Sequence, residues 1–458
     1  MSVLERFARH NHSLRARRDF KPRPVHISDD ARASSLFSRQ RDIMNQILSP
    51  TIKHFSLDGS NGLPFNRRSP SPRARLSEAL TSEETAGPIW NRKNLLELSD
   101  SIRADLRDGN VFGPNAEKLS YFLEAALKDE ERKYPSLDFE TIEYARLDKL
   151  LAELLQFAEN IKSSDLTPEL LLRFRVDVSE TKTLSRFWRR RFREQLFMIN
   201  QHRCAILVEG GRLKDVAFNS SLDYDLGKWQ TMKDTGPVSE SEANLQFEPG
   251  HWWLNITCAE RDGIVNSSLE TPTKGCYGFT SLPLLTGTEE LIRHNTVRYV
   301  REGRSPDMHI QLISQVGRKI RIIRGYKLKS IFAPVAGLRY DGLYTIRQYG
   351  CKLDSIINKY RLELTLERAA DQRPFESISR VPKPSQLDDW ALYEKLEGDK
   401  VKLVEGESSY LQWKLKRQEE KADLEEWQRA RLFRASFAVP RGIGQGQQRL
   451  DRRVTQFF

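Results

Sequence analysis

The sequence predicts an α+β chain: a helical region, then a β-rich stretch curving into a barrel, then a charged helix, with a tail at each end. Three observations carry this. Apolar residues recur at three- and four-residue spacing between Asn94 and Asn200. Short strands of period two, such as Lys319-Ile320-Arg321-Ile322, punctuated by Gly, Pro and Asp-Gly signals, follow as far as Ile378. Beyond Pro384 the background becomes Lys, Glu and Arg, with leucines and tryptophans set into it. The expected divisions are 1–90, a disordered basic tail; 91–204, helical; 205–380, the β domain; 381–439, a charged helical segment; and 440–458, a second disordered tail.

Composition narrows the class. The chain has 458 residues, 30% of them charged and 38% hydrophobic, which is low for a wholly globular protein and implies that part of it is tail or linker. A net charge of +11 favours a polyanionic partner, nucleic acid before membrane. No run reaches the ~18 apolar residues of a membrane span, and the first residues lack the apolar core of a secretory signal. A soluble, intracellular protein is therefore expected. Cys204, Cys258, Cys276 and Cys351 form no C-x-x-C pair, so neither a zinc module nor a disulfide framework is expected.

The first ninety residues are rich in Arg, Ser, Pro and Asn. They carry basic clusters at Arg15-Ala16-Arg17-Arg18 and from Arg67 to Arg75, where Ser69 and Ser71 each precede a proline. Helical seams follow at Leu95, Leu98, Ile102 and Leu106; at Leu119, Phe122, Ala125 and Ala126; and at Leu147, Leu150, Leu151, Leu154, Leu155 and Ala158. Thr167-Pro168 marks another helix start. The run from Arg186 to Arg193 has two readings: its aromatics pack the helical core while its arginines face water, or it is a basic arm lying along phosphates. Ala205-Ile206-Leu207-Val208 is expected to begin the first strand, and Arg361 to Arg368 to form the closing one. In the last segment Leu411, Leu415, Leu424, Trp427, Leu432 and Phe433 suit a long helix that docks on its own domain or on a partner.

The β-rich stretch contains Arg321-Ile322-Ile323-Arg324-Gly325-Tyr326-Lys327, Ser330-Ile331-Phe332-Ala333-Pro334, Gly337, and Arg339-Tyr340-Asp341-Gly342-Leu343-Tyr344, running on to Tyr349. This spacing resembles the core signature of the SRA-YDG domain, in a divergent, fungal-type form. Gly250-His251-Trp252-Trp253, Gly263 and Gly275-Cys276-Tyr277 are similar to the family's earlier motifs. The resemblance implies a nuclear module that grips duplex DNA and, in its methyl-reading members, takes a methylated cytosine out of the stack. It implies DNA contacts at Arg298, Arg301, Arg318, Arg321 and Arg324, a base pocket at Tyr299 with Glu289 or Glu290 as its acid, and a structural motif at Tyr340, Asp341 and Gly342.

Departures from that pattern weaken the methyl-reading expectation. Val300 stands where the pocket threonine belongs, the first pocket tyrosine has no counterpart, and the segment that would fill the vacated stack shortens to Arg304–Lys319. General DNA or chromatin binding is therefore the leading expectation, with a methylcytosine reader and a non-DNA-binding helical scaffold as alternatives. The five arginines should surround one concave face in a DNA binder and scatter in a scaffold. No cofactor, metal, small-molecule substrate or catalysis is expected. His251, His294 and His309 have no paired ligand spacing, and Asp177 and Glu180 lie too close together for a strand-separated nuclease site. Oligomeric state stays open.

Overall fold

The computed structural model describes residues 90–109, 115–161, 168–219, 229–233, 245–356 and 358–438. The expectations for the tails, the clusters around Arg15 and Arg67, and the cap at Thr167 lie outside these residues.

Five helices form the first layer: α1 (Arg92–Arg107), α2 (Ala116–Glu130), α3 (Phe139–Tyr144), α4 (Leu147–Asn160) and α5 (Pro168–Glu209). Asn91 starts α1 because its side chain accepts from the backbone N–H groups of Lys93 and Asn94, two donors that no turn precedes. The predicted seams meet in one core, where Leu95, Ile102, Leu119, Phe122, Leu150 and Leu154 pack against Trp188 and Phe192 of α5. Two of the three aromatics of the Arg186–Arg193 run, Trp188 and Phe192, are thus core residues, and Phe187 is only half-buried.

Helix α5 overturns one expectation. Ala205 to Val208 continue it instead of opening a strand, with Ile199, Arg203 and Leu207 buried at four-residue spacing. A four-residue apolar run fits either element, and here the helical seam decides it. At Arg193 the backbone leaves helical values (φ 34, ψ −106), so α5 is kinked there.

A small ribbon, β1 (Val216–Phe218) with β2 (Trp229–Thr231), leads into β3 (Trp252–Trp253), the short α6 (Ile256–Arg261), β4 (Thr273–Gly275), β5 (Gly278–Leu284), β6 (Thr288–Arg293), β7 (Thr296–Gly303), β8 (Lys319–Gly325), β9 (Leu338–Asp354) and β10 (Lys359–Arg368). The main sheet runs β4-β5-β8-β9-β10-β7-β6, with β3 added on β9. All its neighbours are antiparallel except β5 and β8.

The sheet is not the closed barrel that was expected. Its edge strands β4 and β6 do not pair. Where β6 returns, it meets only one bridge, Thr288 to Lys329, because the chain leaves β8 at Gly325 in turns and offers no strand to zip against. The Asp341-Gly342 signal proves to be a bulge. Ile322 opposes Gly342 and Ile323 opposes Tyr340, leaving Asp341 as the extra residue inside a continuous β9.

Strand β8 also departs from its predicted basic face. Ile320 and Ile322 enter the core with Leu282, Tyr299 and Leu364, while Ile323 enters a second core with Trp252, Trp253, Leu338 and Tyr393. With both faces covered, Arg321 and Arg324 are buried.

Beyond the short α7 (Phe375–Ile378), the charged segment is two helices, α8 (Pro384–Glu405) and α9 (Glu407–Ala438), folded into a hairpin around Gly406. Glu397 of α8 accepts from Trp229 Nε1 (3.0 Å), Trp413 Nε1 (3.1 Å), the Tyr393 hydroxyl (3.2 Å) and Arg417 Nη2 (2.5 Å). The hairpin therefore docks on its own domain.

Gly342 has φ +99, and a Cβ there would collide with Gln372 Oε1. That amide oxygen accepts from Leu343 N–H, and its nitrogen donates to the Leu343 and Ala369 carbonyls. Gly342→Val should destabilise the chain by about 1–3 kcal/mol through backbone strain, measured by denaturant unfolding. An unchanged midpoint would show that the bulge tolerates any residue.

Candidate nucleic-acid interface

The residues expected to touch DNA fall into three environments. The first is a buried charge cluster. Arg324 on β8 is 0% exposed. Its Nε and Nη2 donate to Glu289 at 2.9 and 2.6 Å, and its Nη1 donates to Asp341 Oδ2 at 2.6 Å and the Tyr344 hydroxyl at 3.0 Å. Burial alone would lower the Arg324 pKa, but Glu289, Tyr344 and Asp341 hold the guanidinium well above its ordinary value. The Ser330 hydroxyl donates to Glu289 Oε2.

Arg339 completes this cluster. Its Nε donates to Asp341 Oδ1, Nη1 to the Val381 carbonyl at 2.8 Å, and Nη2 to the Phe332 carbonyl. Two arginines thus face two carboxylates inside the sheet. The bulge is what turns Asp341 toward both. Arg324 is therefore no phosphate contact, and Glu289 is no free base-reading acid, since each is consumed by the other.

The second environment is the expected base pocket. Tyr299 on β7 sits directly across from Glu289 on β6. Yet Tyr299 is 2% exposed, its hydroxyl donates to the Thr286 carbonyl at 3.1 Å, and burial raises its pKa. Glu270 is tied to the Thr286 segment that caps this tyrosine. It accepts from the Leu285 and Thr286 N–H groups at 2.6 and 2.9 Å and from the Thr286 hydroxyl at 2.7 Å, and it pairs with Arg301 at 3.5 Å.

Arg301 is therefore turned inward. A cleft of about 290 Å³ does open nearby, with Glu270, Thr286, Tyr326, Trp390, Tyr393 and Arg417 among its walls, but Tyr299 does not line it. Glu270 was missed from sequence because it acts from an irregular loop in which no spacing marks it.

The third environment is the surface. Arg298 lies on the outer face of β7 beside Glu290 (2.7 Å) and Glu363 (3.7 Å), so Glu290 is likewise taken up by an ion pair. Arg318 is exposed, its Nη1 donating to the Tyr277 carbonyl at 2.7 Å, with exposed Lys319 next to it. Tyr277 is 83% exposed, and Ile310, Ile313 and Val316 of the adjoining 3₁₀ segment also face water. Sequence reasoning picked Arg318 but missed these apolar neighbours. The five arginines do not share one concave face: two are buried, one is turned inward, one is paired outside and one stands at an apolar edge.

No family model matches the chain, and no curated protein does. Similar solved structures include the SUVH5 SRA domain in complex with fully methylated CG DNA, at 20% identity over 28% of this chain and 92% of that one, with a TM-score of 0.23. Arabidopsis thaliana SUVH6 in complex with SAM is 17% identical over 39% of this chain and 33% of that one, with a TM-score of 0.24. A modification-dependent restriction endonuclease, TagI, is 18% identical over 30% of this chain and 53% of that one, at 0.23. At such scores the likeness assigns no residue of this chain a role.

Removing one member of the buried cluster leaves an uncompensated charge. Asp341→Asn should cost about 3–5 kcal/mol, seen as a lowered midpoint in denaturant unfolding. A loss below ~1 kcal/mol would mean that water reaches the cluster.

His251 packs against Phe247 and Trp253, with ring centroids 4.7 and 4.5 Å away, and its carbonyl accepts from Tyr340 N–H. Burial, then Arg212, lowers its pKa from 6.5 to about 4; Arg261 adds to this and Asp262 opposes it. The unfolded imidazole therefore takes a proton first as pH falls. The stability this group contributes is full above about pH 6.5, declines toward pH 4 and then levels. Melting temperatures across that window should fall less steeply for His251→Asn than for the wild type; parallel profiles would remove His251 as the cause.

Proposed function

We propose that the chain is a nuclear, non-enzymatic module that binds duplex DNA, with chromatin as its setting. The reading rests on one observation: the exposed edge where Arg318 and Lys319 stand beside Tyr277 and Ile313, among described residues that offer these two cations no ion-paired carboxylate. Cations at such an edge can neutralise phosphates and release counterions. The apolar tips beside them have the chemistry to wedge against a base step. The net charge of +11 supplies a long-range attraction of the same sign.

Methylcytosine plays little part in this reading. A flipped base needs a cavity and an acid to read its edge. Tyr299 is covered and hydrogen-bonded, Glu289 is committed to Arg324, and the neighbouring cleft is not lined by Tyr299. A second reading, a protein-binding scaffold, draws on the inward arginines and on Leu411 and Leu415, both exposed on α9.

Duplex binding followed by fluorescence anisotropy should weaken steeply between 50 and 200 mM salt, on the order of the loss expected for several phosphate contacts. Arg318→Glu with Lys319→Glu should flatten the log–log salt slope by about 0.9 for each phosphate that the protein no longer neutralises. Unmethylated, hemimethylated and fully methylated duplexes should bind within about tenfold of one another, the equivalent of one well-made stacking interaction. A larger methyl preference that Tyr299→Phe abolishes would restore the methyl-reader assignment, and absence of duplex binding would leave the scaffold reading.

A further inference from the structure

Helix α5 presents a second charged surface that the β domain does not explain. Arg175, Lys182, Arg186, Arg189, Arg190 and Arg193 are all exposed. At 3.6 residues per turn these six fall within an arc of about 100° and extend over about 27 Å of helix axis. The opposite face carries Phe174, Asp177, Leu184, Trp188 and Phe192, all buried. The stripe is therefore locked outward by the packing of the helix behind it.

Its charge is uncompensated. Among the described residues no carboxylate forms an ion pair with any of the six; Arg191, off the stripe, is the arginine that reaches Glu130. The acidic residues of this stretch lie off the arc as well, with Asp177 facing the core, where it accepts from Ser120 at 2.8 Å. Six like charges in a row repel one another, and nothing in the core requires them, since their removal would leave the buried face intact. The stripe ends at the kink, where Arg193 holds a backbone conformation (φ 34) that side-chain-bearing residues rarely adopt. Its Nε donates to the Arg190 carbonyl at 3.3 Å, closing off that end.

We infer that this stripe is a phosphate-backbone contact surface for duplex DNA, separate from the Arg318 edge. The inference rests on the duplex-binding reading above and adds a second surface to it. Linear spacing over several helical turns suits a linear polyanion. Five of the six cations are arginines, whose planar fork matches phosphate oxygens. An anionic membrane is the poorer fit, because a surface helix needs an apolar face to bury in lipid and here that face is already inside the protein.

The test uses the full chain and a double substitution, Arg186→Glu with Arg190→Glu, beside the edge pair Arg318→Glu with Lys319→Glu. Unchanged thermal melting of the α5 variant would confirm that exposed positions were altered. Anisotropy titrations with one duplex from 50 to 200 mM salt should then show at least tenfold weaker binding at the lowest salt, with a slope shallower by about 1.8, or 0.9 for each of two phosphates released from the protein. Arg186→Lys with Arg190→Lys should keep most of the affinity. Wild-type affinity and slope in the charge-reversed α5 variant, with binding abolished in the edge pair, would overturn the stripe and leave the duplex-binding reading standing. Weakened binding in the α5 variant with the edge pair unaffected would uphold the stripe and remove the edge. Binding of anionic phospholipid vesicles but not of duplex would overturn both.

Discussion

The buried contact of Arg324 with Glu289 and Asp341 is the constraint around which the β domain is arranged. It joins β6, β8 and β9, and through Arg339 it reaches the Phe332 loop and the Val381 linker. Ions removed from water cost several kcal/mol each unless every lone pair and proton finds a partner. This cluster meets that condition with Ser330 and Tyr344 as well as the opposed charges. The bulge at Asp341 follows from the same need, because a regular β9 would send that carboxylate to the opposite face. Gly342 then follows from the bulge. The Arg-Tyr-Asp-Gly run is accounted for by folding before any ligand is considered.

That internal use of charge changes what a net +11 means for the surface. Arg301, Arg324 and Arg339 are balanced inside by Glu270, Glu289 and Asp341, and Arg298 is balanced outside by Glu290 and Glu363. Among the described residues, exposed positive charge without an ion-paired carboxylate includes the stripe on α5 and the pair Arg318 and Lys319. A polyanion would be attracted to the whole molecule but held where cations are not already neutralised.

The helical core was legible because its seam repeats over several turns, and Leu95, Ile102, Leu119, Phe122, Leu150 and Leu154 needed only periodicity to be placed. The Asp-Gly irregularity in β9 was legible too, as a turn or bulge. The fate of β8 was not. Alternation distinguishes two faces of a strand but does not say whether the second face meets water or a second layer, and here Trp252, Trp253 and α8 cover it. Ala205–Val208 failed for a related reason, since a short apolar run lacks the length to choose between helix and strand. Closure failed because whether the edge strands β4 and β6 meet is set by the path of the whole sheet between them, which no local pattern reports. The inward turn of Arg301 toward Glu270 depends likewise on a contact with an irregular loop about thirty positions away in the chain.

Helix α8 gives these separate features a mechanical relation. Asp388 receives two hydrogen bonds from Arg103 of α1, each 2.8 Å, Asp389 pairs with Arg146 at 2.6 Å, and Asp100 accepts from both the backbone and the hydroxyl of Ser385. On its other side Trp390 and Tyr393 meet Tyr326 and Trp229 of the β domain. The helical region and the sheet are thus bolted to the same helix by buried or half-buried ion pairs and aromatic contacts. Two surfaces carried on elements tied in this way do not bind a long polyanion independently. If one duplex spans both, engagement of one surface would present the other at an effective concentration set by the protein's own geometry, without the ordering entropy of a linker. Each could then be individually weak, as a few exposed cations must be at physiological salt, and still contribute to a stable complex. Asp388 and Asp389 of α8, both largely covered by these contacts, would in that way govern binding through the spacing they maintain.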